Sequence, residues 1–318
     1  MGKGMGRYVF RRCVSMIFIL LATAVIIFTI LYFCPADPAD ALLGASASEV
    51  EREALRESWG LNEPYWKQLG DYMYSTFIKF DLGDSWLYGV PVMEELMRRL
   101  PRTLIIGISA MVINVTLGVF LGVFAGTHEG KWQDSLTMGI AMIFVSCPDF
   151  WVALMMVVLF SAKLGWLPAY GIGGMKYYIM PVIASALAGI AHNARFGRNS
   201  ILEVFRADFI TTARAKGVKE RSVVYKHMLP NALMPIITNI GGILSRIIAG
   251  SAVIETVFSI PGVGLYMLEA INHRDYPAVR GSVLFFALFT SIVMLLIDLV
   301  YAMIDPRIKA QFAAGKKR

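Results

Sequence analysis

Residues 13–33, "CVSMIFILLATAVIIFTILYF", contain no charged side chain. This run limits the fold more than any other feature. A bilayer core about 30 Å thick takes roughly 20 apolar residues of helix at about 1.5 Å each. Five further runs approach that length: 103–126, 135–162, about 177–194, about 232–254 and 281–304. The fourth is short and rich in Ala and Gly. Small residues follow the first run in "FCPADPADA", as at a signal-peptide cleavage site, but the run exceeds a usual h-region and Arg11 and Arg12 directly precede it. A retained anchor is the expectation, and an all-α integral membrane protein with six transmembrane helices follows.

Composition agrees. The chain is 57% hydrophobic and 17% charged, with a mean hydropathy of +0.60, against about a quarter charged in soluble domains. Its net charge of +7 does not point to nucleic acid, because the cations cluster at the ends of apolar runs. Lys3, Arg7, Arg11 and Arg12 precede the first run. Residues 195–230 carry eight Lys or Arg, and Arg307, Lys309, Lys316, Lys317 and Arg318 follow the sixth. With six spans, the positive-inside rule puts both termini and the 195–230 loop in the cytoplasm. The expected division is 1–34 tail and first span, 35–102 extracytoplasmic segment, 103–304 five-helix core, and 305–318 basic tail.

Catalytic chemistry is missing. Cys13, Cys34 and Cys147 have neither disulfide nor metal spacing. His128, His192, His227 and His273 are dispersed with no H-E-x-x-H pair, so no metal site is expected. "GTHEGKW" and "AAGKKR" fail the P-loop spacing and its final hydroxyl. The chain is therefore expected to be non-catalytic, with no cofactor of its own.

Residues 34–102 hold twelve acidic and seven basic side chains, too many for a turn. "SASEVEREALRESWG" predicts a helix with Ser48 as N-cap, acids in the first turn and Gly60 at the stop. "LNEPYWKQLGDYMYSTFIKF" predicts a second, with Tyr65, Leu69, Tyr72 and Met73 on one stripe that must cover something. In the second span Ala110, Asn114, Gly118, Gly122 and Gly126 recur every four residues, as do Gly241, Ser245 and Ala249 in the fifth. Small residues in such register let helix backbones approach closely. Asn114, Asp149, Asn239 and Glu255 are polar positions able to face a pathway. Arg246 and Asp298 also lie within apolar runs.

The loop "ARAKGVKERSVVYKHMLPNA", residues 213–232, is basic and punctuated by Gly217 and Pro230. The residues before it, Ile201, Leu202, Phe205, Phe209 and Ala213, form a helical stripe that ends at Gly217. Ser222 is placed to cap a short helix, "VVYKHML", stopped by Pro230. So short a helix has little of its own chain to bury against, and its Val, Tyr and Met side chains call for a partner's groove.

These residues resemble the permeases of ATP-binding-cassette (ABC) importers. Those carry E-A-A, three residues, Gly, nine residues, then Ile-x-Leu-Pro. Here Thr211, Thr212, Ala213, Gly217, His227, Met228, Leu229 and Pro230 align, with Thr211 and Thr212 in place of Glu and Ala and His227 in place of Ile. The dipeptide/oligopeptide/nickel branch typically has "TARAKG", present at Thr212–Gly217. "DPADALLG", "WGLNEP", "FDLGDS", "CPDFW", "ETVFSIPGVG", "RDYPAVRG" and "YAMIDPRIK" are similar to its other segments. The long segment between the first two spans is similar to the B-type subunit.

That resemblance implies a type I importer fold in a bacterial or archaeal cytoplasmic membrane. It implies a second, C-type permease, two ATPase subunits holding ATP and Mg, and an extracytoplasmic solute-binding protein. The coupling loop would comprise Thr211, Thr212, Ala213, Arg214, Ala215, Lys216, Gly217, Lys219, Val223, Val224, Tyr225, His227, Leu229 and Pro230. Within it, roughly residues 219–229 would move with the ATPases. Arg214, Lys216 and Lys219 either steer an acidic rim on the ATPase or only satisfy the positive-inside bias. Di- and oligopeptides are the expected solutes, with nickel chelates, glutathione or oligosaccharides as the family's alternatives. An ion-coupled transporter or channel is the competing class; it would need no ATPase and would show repeated halves, which are not evident.

Overall fold

The computed structural model describes residues 3–35, 37–44, 46–233 and 251–304. No strand occurs among them; one isolated antiparallel bridge joins Asp84 and Pro91. The helices are α1 (Lys3–Tyr32), α2 (Pro38–Leu43), α3 (Glu49–Ser58), α4 (Tyr65–Ile78), α5 (Val92–Thr127), α6 (Trp132–Ser146), α7 (Asp149–Met156), α8 (Lys176–Phe205), α9 (Asp208–Ala215), α10 (Glu220–Ser222), α11 (Val263–Asn272) and α12 (Tyr276–Ile304). Two π-helical stretches, Val157–Lys163 and Val223–Met228, follow α7 and α10. The chain divides into two compact units, Met1–Pro101 with Pro261–Arg318, and Arg102–Ile260.

Among the described residues three helices are long and apolar enough to cross a membrane: Val9–Tyr32, Val92–Thr127 and Tyr276–Ile297. The run 135–162, read from sequence as one span, is instead two helices, Trp132–Ser146 and Asp149–Lys163, bent by 99°. Pro148 is the cause. It lacks an N–H and pushes Cys147 out of the helical region, to φ −82° and ψ 128°. The predicted fourth run is the apolar part of α8, which continues through Arg195 and Arg198 to Phe205. Most of the fifth run, with Asn239, Gly241, Ser245, Arg246 and Ala249, lies outside the described residues, as does the tail from 305. Phe18 and Ile30 on α1, Phe120 on α5 and Ile143 on α6 are exposed. Such apolar faces suit lipid or a second membrane subunit.

In the first unit α1 packs along α12, and α11 packs on α12. Val92, Leu96, Val263, Tyr266, Ala278 and Val279 form their common core. Asp275 caps α12, accepting from the N–H of Ala278 at 3.2 Å and from the Ser85 hydroxyl at 2.5 Å. The two helices predicted in the 34–102 segment are present. Ser48 and Glu51 form a capping box on α3, and Gly60 follows at φ +68°. Tyr65 and Tyr72 of α4 cover the end of α1, with ring centres 5.7 and 5.5 Å from Phe28. The Tyr65 hydroxyl is 2.8 Å from that of Thr29.

In the second unit α8 is the spine, contacted by α6 and α7. The four-residue repeat on α5 faces it. A Cβ at Gly118 would lie 2.5 Å from Asn193 Cβ, and one at Gly122 would lie 2.7 Å from the Ala194 carbonyl oxygen. Such separations are closer than carbon atoms tolerate, so only glycine permits this contact.

Candidate functional site

Helix α8 stops at Phe205, and Ala207 leaves the helical region at ψ 144° to start α9. The loop after α9 is a Schellman motif. The N–H of Val218 donates to the Ala213 carbonyl at 3.2 Å and that of Gly217 to the Arg214 carbonyl at 2.9 Å. Gly217 sits at φ +77°, where a side chain would be strained. Val218 and Lys219 run extended, and α10 begins with Lys219 as its N-cap.

The sequence reading placed the N-cap at Ser222. In the structure Ser222 is helical, at φ −70° and ψ −35°, because the helix begins three residues earlier. The reading also gave this helix nothing of its own chain to bury against, and that is corrected too. Val223 and Met228 are fully buried, packed with Ile201 of α8, Ile210 of α9 and Ala232. The π-helical widening makes this possible: the apolar positions are five apart, a spacing the i→i+5 helix brings to one side.

What remains outward is polar or aromatic. Tyr225 is 63% exposed, and Lys216, Lys219, Arg221 and Lys226 are exposed beside it. Thr211, Thr212 and Ala215 also face out, while Ala213 is buried. Val224, His227 and Leu229 are half-buried, and Pro230 is exposed on a continuing helix. Arg214 does not project. It donates two hydrogen bonds to Glu220, at 3.1 and 2.6 Å, and lies 4.3 Å above the Phe205 ring. Those bonds hold the Glu220 carboxyl below its usual range. Of the three loop cations proposed to steer a partner, Lys216 and Lys219 stay outward and Arg214 braces the loop.

An ion pair that sequence reasoning missed locks this region to α6. Arg198 on α8 donates to both carboxylate oxygens of Asp134, at 2.5 and 2.7 Å, and Asp134 also accepts from the Gly130 N–H at 3.2 Å. The partners are 64 residues apart, so no local pattern signals them.

The four pathway candidates separate. Asn114 is 1% exposed and accepts a hydrogen bond from Asn193 at 3.1 Å, so it belongs to the α5–α8 contact. Glu255 is fully buried and accepts from the Thr103 hydroxyl at 2.7 Å. Asp149 is exposed at the α6–α7 bend, and Asn239 lies outside the described residues. No group of three or more metal-ligating side chains occurs among the described residues.

Among the described residues, apolar helices clasped at glycines and a self-cored polar loop define a helical membrane protein. The family described as binding-protein-dependent transport system inner membrane component matches residues 118–310, and the N-terminal component of such systems matches residues 5–107. The chain belongs to this family, the permeases of ABC importers. It is 38% identical to the dipeptide transport system permease protein DppB of Alkalihalophilus pseudofirmus, over 95% of this chain and 99% of that one. A putative peptide transport system permease of Brucella abortus is 37% identical, over 95% and 98%. The glutathione transport system permease GsiC of Escherichia coli O6:H1 is 36% identical, again over 95% and 98%. A solved amino acid ABC transporter shares the fold, with a TM-score of 0.53 and 14% identity over 67% of this chain and 95% of that one.

Proposed function

We propose that the chain is the B-type permease subunit of an ATP-driven importer of di- and oligopeptides. It forms half of a pathway with a second permease, above two ATPases and below a solute-binding protein. The peptide assignment is supported by relatives named for dipeptide, peptide and glutathione transport. The coupling assignment is supported by one observation above all: residues 208–228 bury Val223 and Met228 internally while holding Tyr225 outward. A knob built on its own core can pass a push to α8 rather than fold away under it.

In this reading ATP-driven closure of the ATPases moves the knob and switches the spans between inward- and outward-facing states. ATP shifts that balance only by its different affinity for the two states. The test is purification from the native membrane in mild detergent, with mass spectrometry and an ATPase assay. Tyr225→Asp changes only the outward face, so it is expected to fold yet lose the ATPases or uncouple hydrolysis from uptake. Uptake in liposomes by the chain alone, driven by an ion gradient, overturns the proposal.

A further inference from the structure

The first unit lines a half-open cavity of about 810 Å³ between the end of α1, helices α3 and α4, and the first turns of α12. That volume falls in the range of roughly 300–1,000 Å³ typical of small-molecule sites. Arg280 lines it, with its guanidinium 4.7 Å from the Tyr72 ring centre and 5.7 Å from that of Phe28. Its Nε is sealed from solvent without a hydrogen-bond partner, and the side chain makes no ion pair among the described residues. The hydroxyls of Tyr72 and Thr76, one turn apart on α4, are sealed the same way, and Thr76 is only 8% exposed.

Burial pushes the Tyr72 phenol up to about 12 against the opposing pull of Arg280, so it is a neutral donor near pH 7. The Thr76 hydroxyl lies near enough to favour phenolate slightly, without hydrogen-bond geometry. A buried guanidinium with no carboxylate in ion-pair distance among the described residues is costly unless something anionic completes it. Two exposed acids, Asp71 and Asp81, also line the cavity and make no ion pair among the described residues. Trp59 and Trp86, stacked at 4.0 Å and 3°, form part of its wall.

We propose that this cavity binds a small zwitterion, its carboxylate on the Arg280 guanidinium and its ammonium toward Asp71 and Asp81. A phosphate would gain from Arg280 but be repelled by the two acids; a zwitterion gains from both. The proposal deepens the importer reading and rests on it for the peptide class and for the cavity's place on the outer face. It gives the permease its own recognition point for a free peptide terminus.

The test is equilibrium dialysis of radiolabelled alanyl-alanine against the full-length chain in phosphatidylcholine nanodiscs, without other subunits. Saturable binding is expected, displaced by unlabelled alanyl-alanine but not by its C-terminal amide. Arg280→Gln is expected to weaken it at least about tenfold. Asp81→Asn, which leaves the Arg280–ring contacts in place, is expected to weaken it about threefold. No saturable binding, equal displacement by the amide, or unchanged affinity in both variants overturns the proposal. Equal displacement by inorganic phosphate overturns it in favour of a general anion site. Loss of binding in phosphatidylglycerol nanodiscs overturns it in favour of a lipid headgroup site. Co-purification with ATPases is read separately, so the importer reading and this site can fail independently.

Discussion

Two polar segments interrupt the apolar runs, and they are held by opposite means. Around residues 206–230 the helices close on a small core of their own, with Ile201, Ile210, Val223 and Met228 fully buried. Each such side chain contributes about 1.5–3 kcal/mol, as an upper estimate. The segment 37–81 has no such core: α3 buries nothing and α4 buries only Thr76. It is held by Arg56, bound to Asp37, Glu49 and Glu53 at 2.6 to 3.0 Å, and by tyrosines laid on Phe28. Exposed ion pairs contribute little each and are screened by salt. The comparison teaches that the segment proposed to pass on force carries its own core. One that surrounds a cavity is left adjustable.

The largest effect that could break this contrast is Met228→Ala, which should cost the 208–228 knob about 2–5 kcal/mol. Hydrogen exchange of amides 208–228 should rise accordingly; unchanged protection there would remove the core from the explanation. Next comes Gly217→Ala. A Cβ there meets nothing within 4 Å, so the cost should be that of positive φ alone, about 1–2 kcal/mol. Gly60, equally open at φ +68°, should lose the same amount in the 37–81 segment. A clear inequality would show that one turn is braced by more than its backbone. Smaller still, Ser48→Ala should cost α3 about 1 kcal/mol through its capping box, read as faster exchange at the first turn.

The smallest expected effect is acid sensitivity of α3. Glu51 is held below the usual value of 4.5 by Ser48, and Glu53 by Arg56. A carboxyl depressed in the folded state stabilises it above its unfolded value, and the contribution fades as pH falls through the folded one. Protection in α3, measured against the intrinsic exchange rate at each pH, should therefore fall as pH drops below about 4.5, more readily in high salt for the Glu53–Arg56 contact. The apolar core of the knob should not respond, although its Arg214–Glu220 pair weakens in the same direction.

The features legible in the sequence were those written in neighbouring residues. Ser48, Glu51 and Gly60 marked α3, Gly217 marked the end of α9, and a four-residue repeat marked the α5 face. What escaped depends on partners far apart in the chain or on a change of helical pitch. Arg198 and Asp134 share no local pattern. Val223 and Met228 fit no 3.6-residue face, so a π-helix hid their burial and Ser222 looked like a cap. Pro148 was visible, but the apolar residues on both sides read as one run. Arg280 stood one residue before a predicted span and drew no notice, because nothing local shows that a guanidinium is left unpaired.

The glycine contact between α5 and α8 also has a mechanical meaning. Beyond Pro181, α8 runs for roughly 35 Å at about 1.5 Å per residue. The knob sits at its foot, and Asn193 to Arg198, pressed on Gly118 and Gly122, lie partway up. In the proposed coupling, a stiff beam clasped there would behave as a crank. A tilt of about 5° about the clasp would carry the far end, roughly 22 Å away, through about 2 Å of arc. Any larger residue at Gly122 would act as a shim under the bearing, altering the stroke without touching the handle.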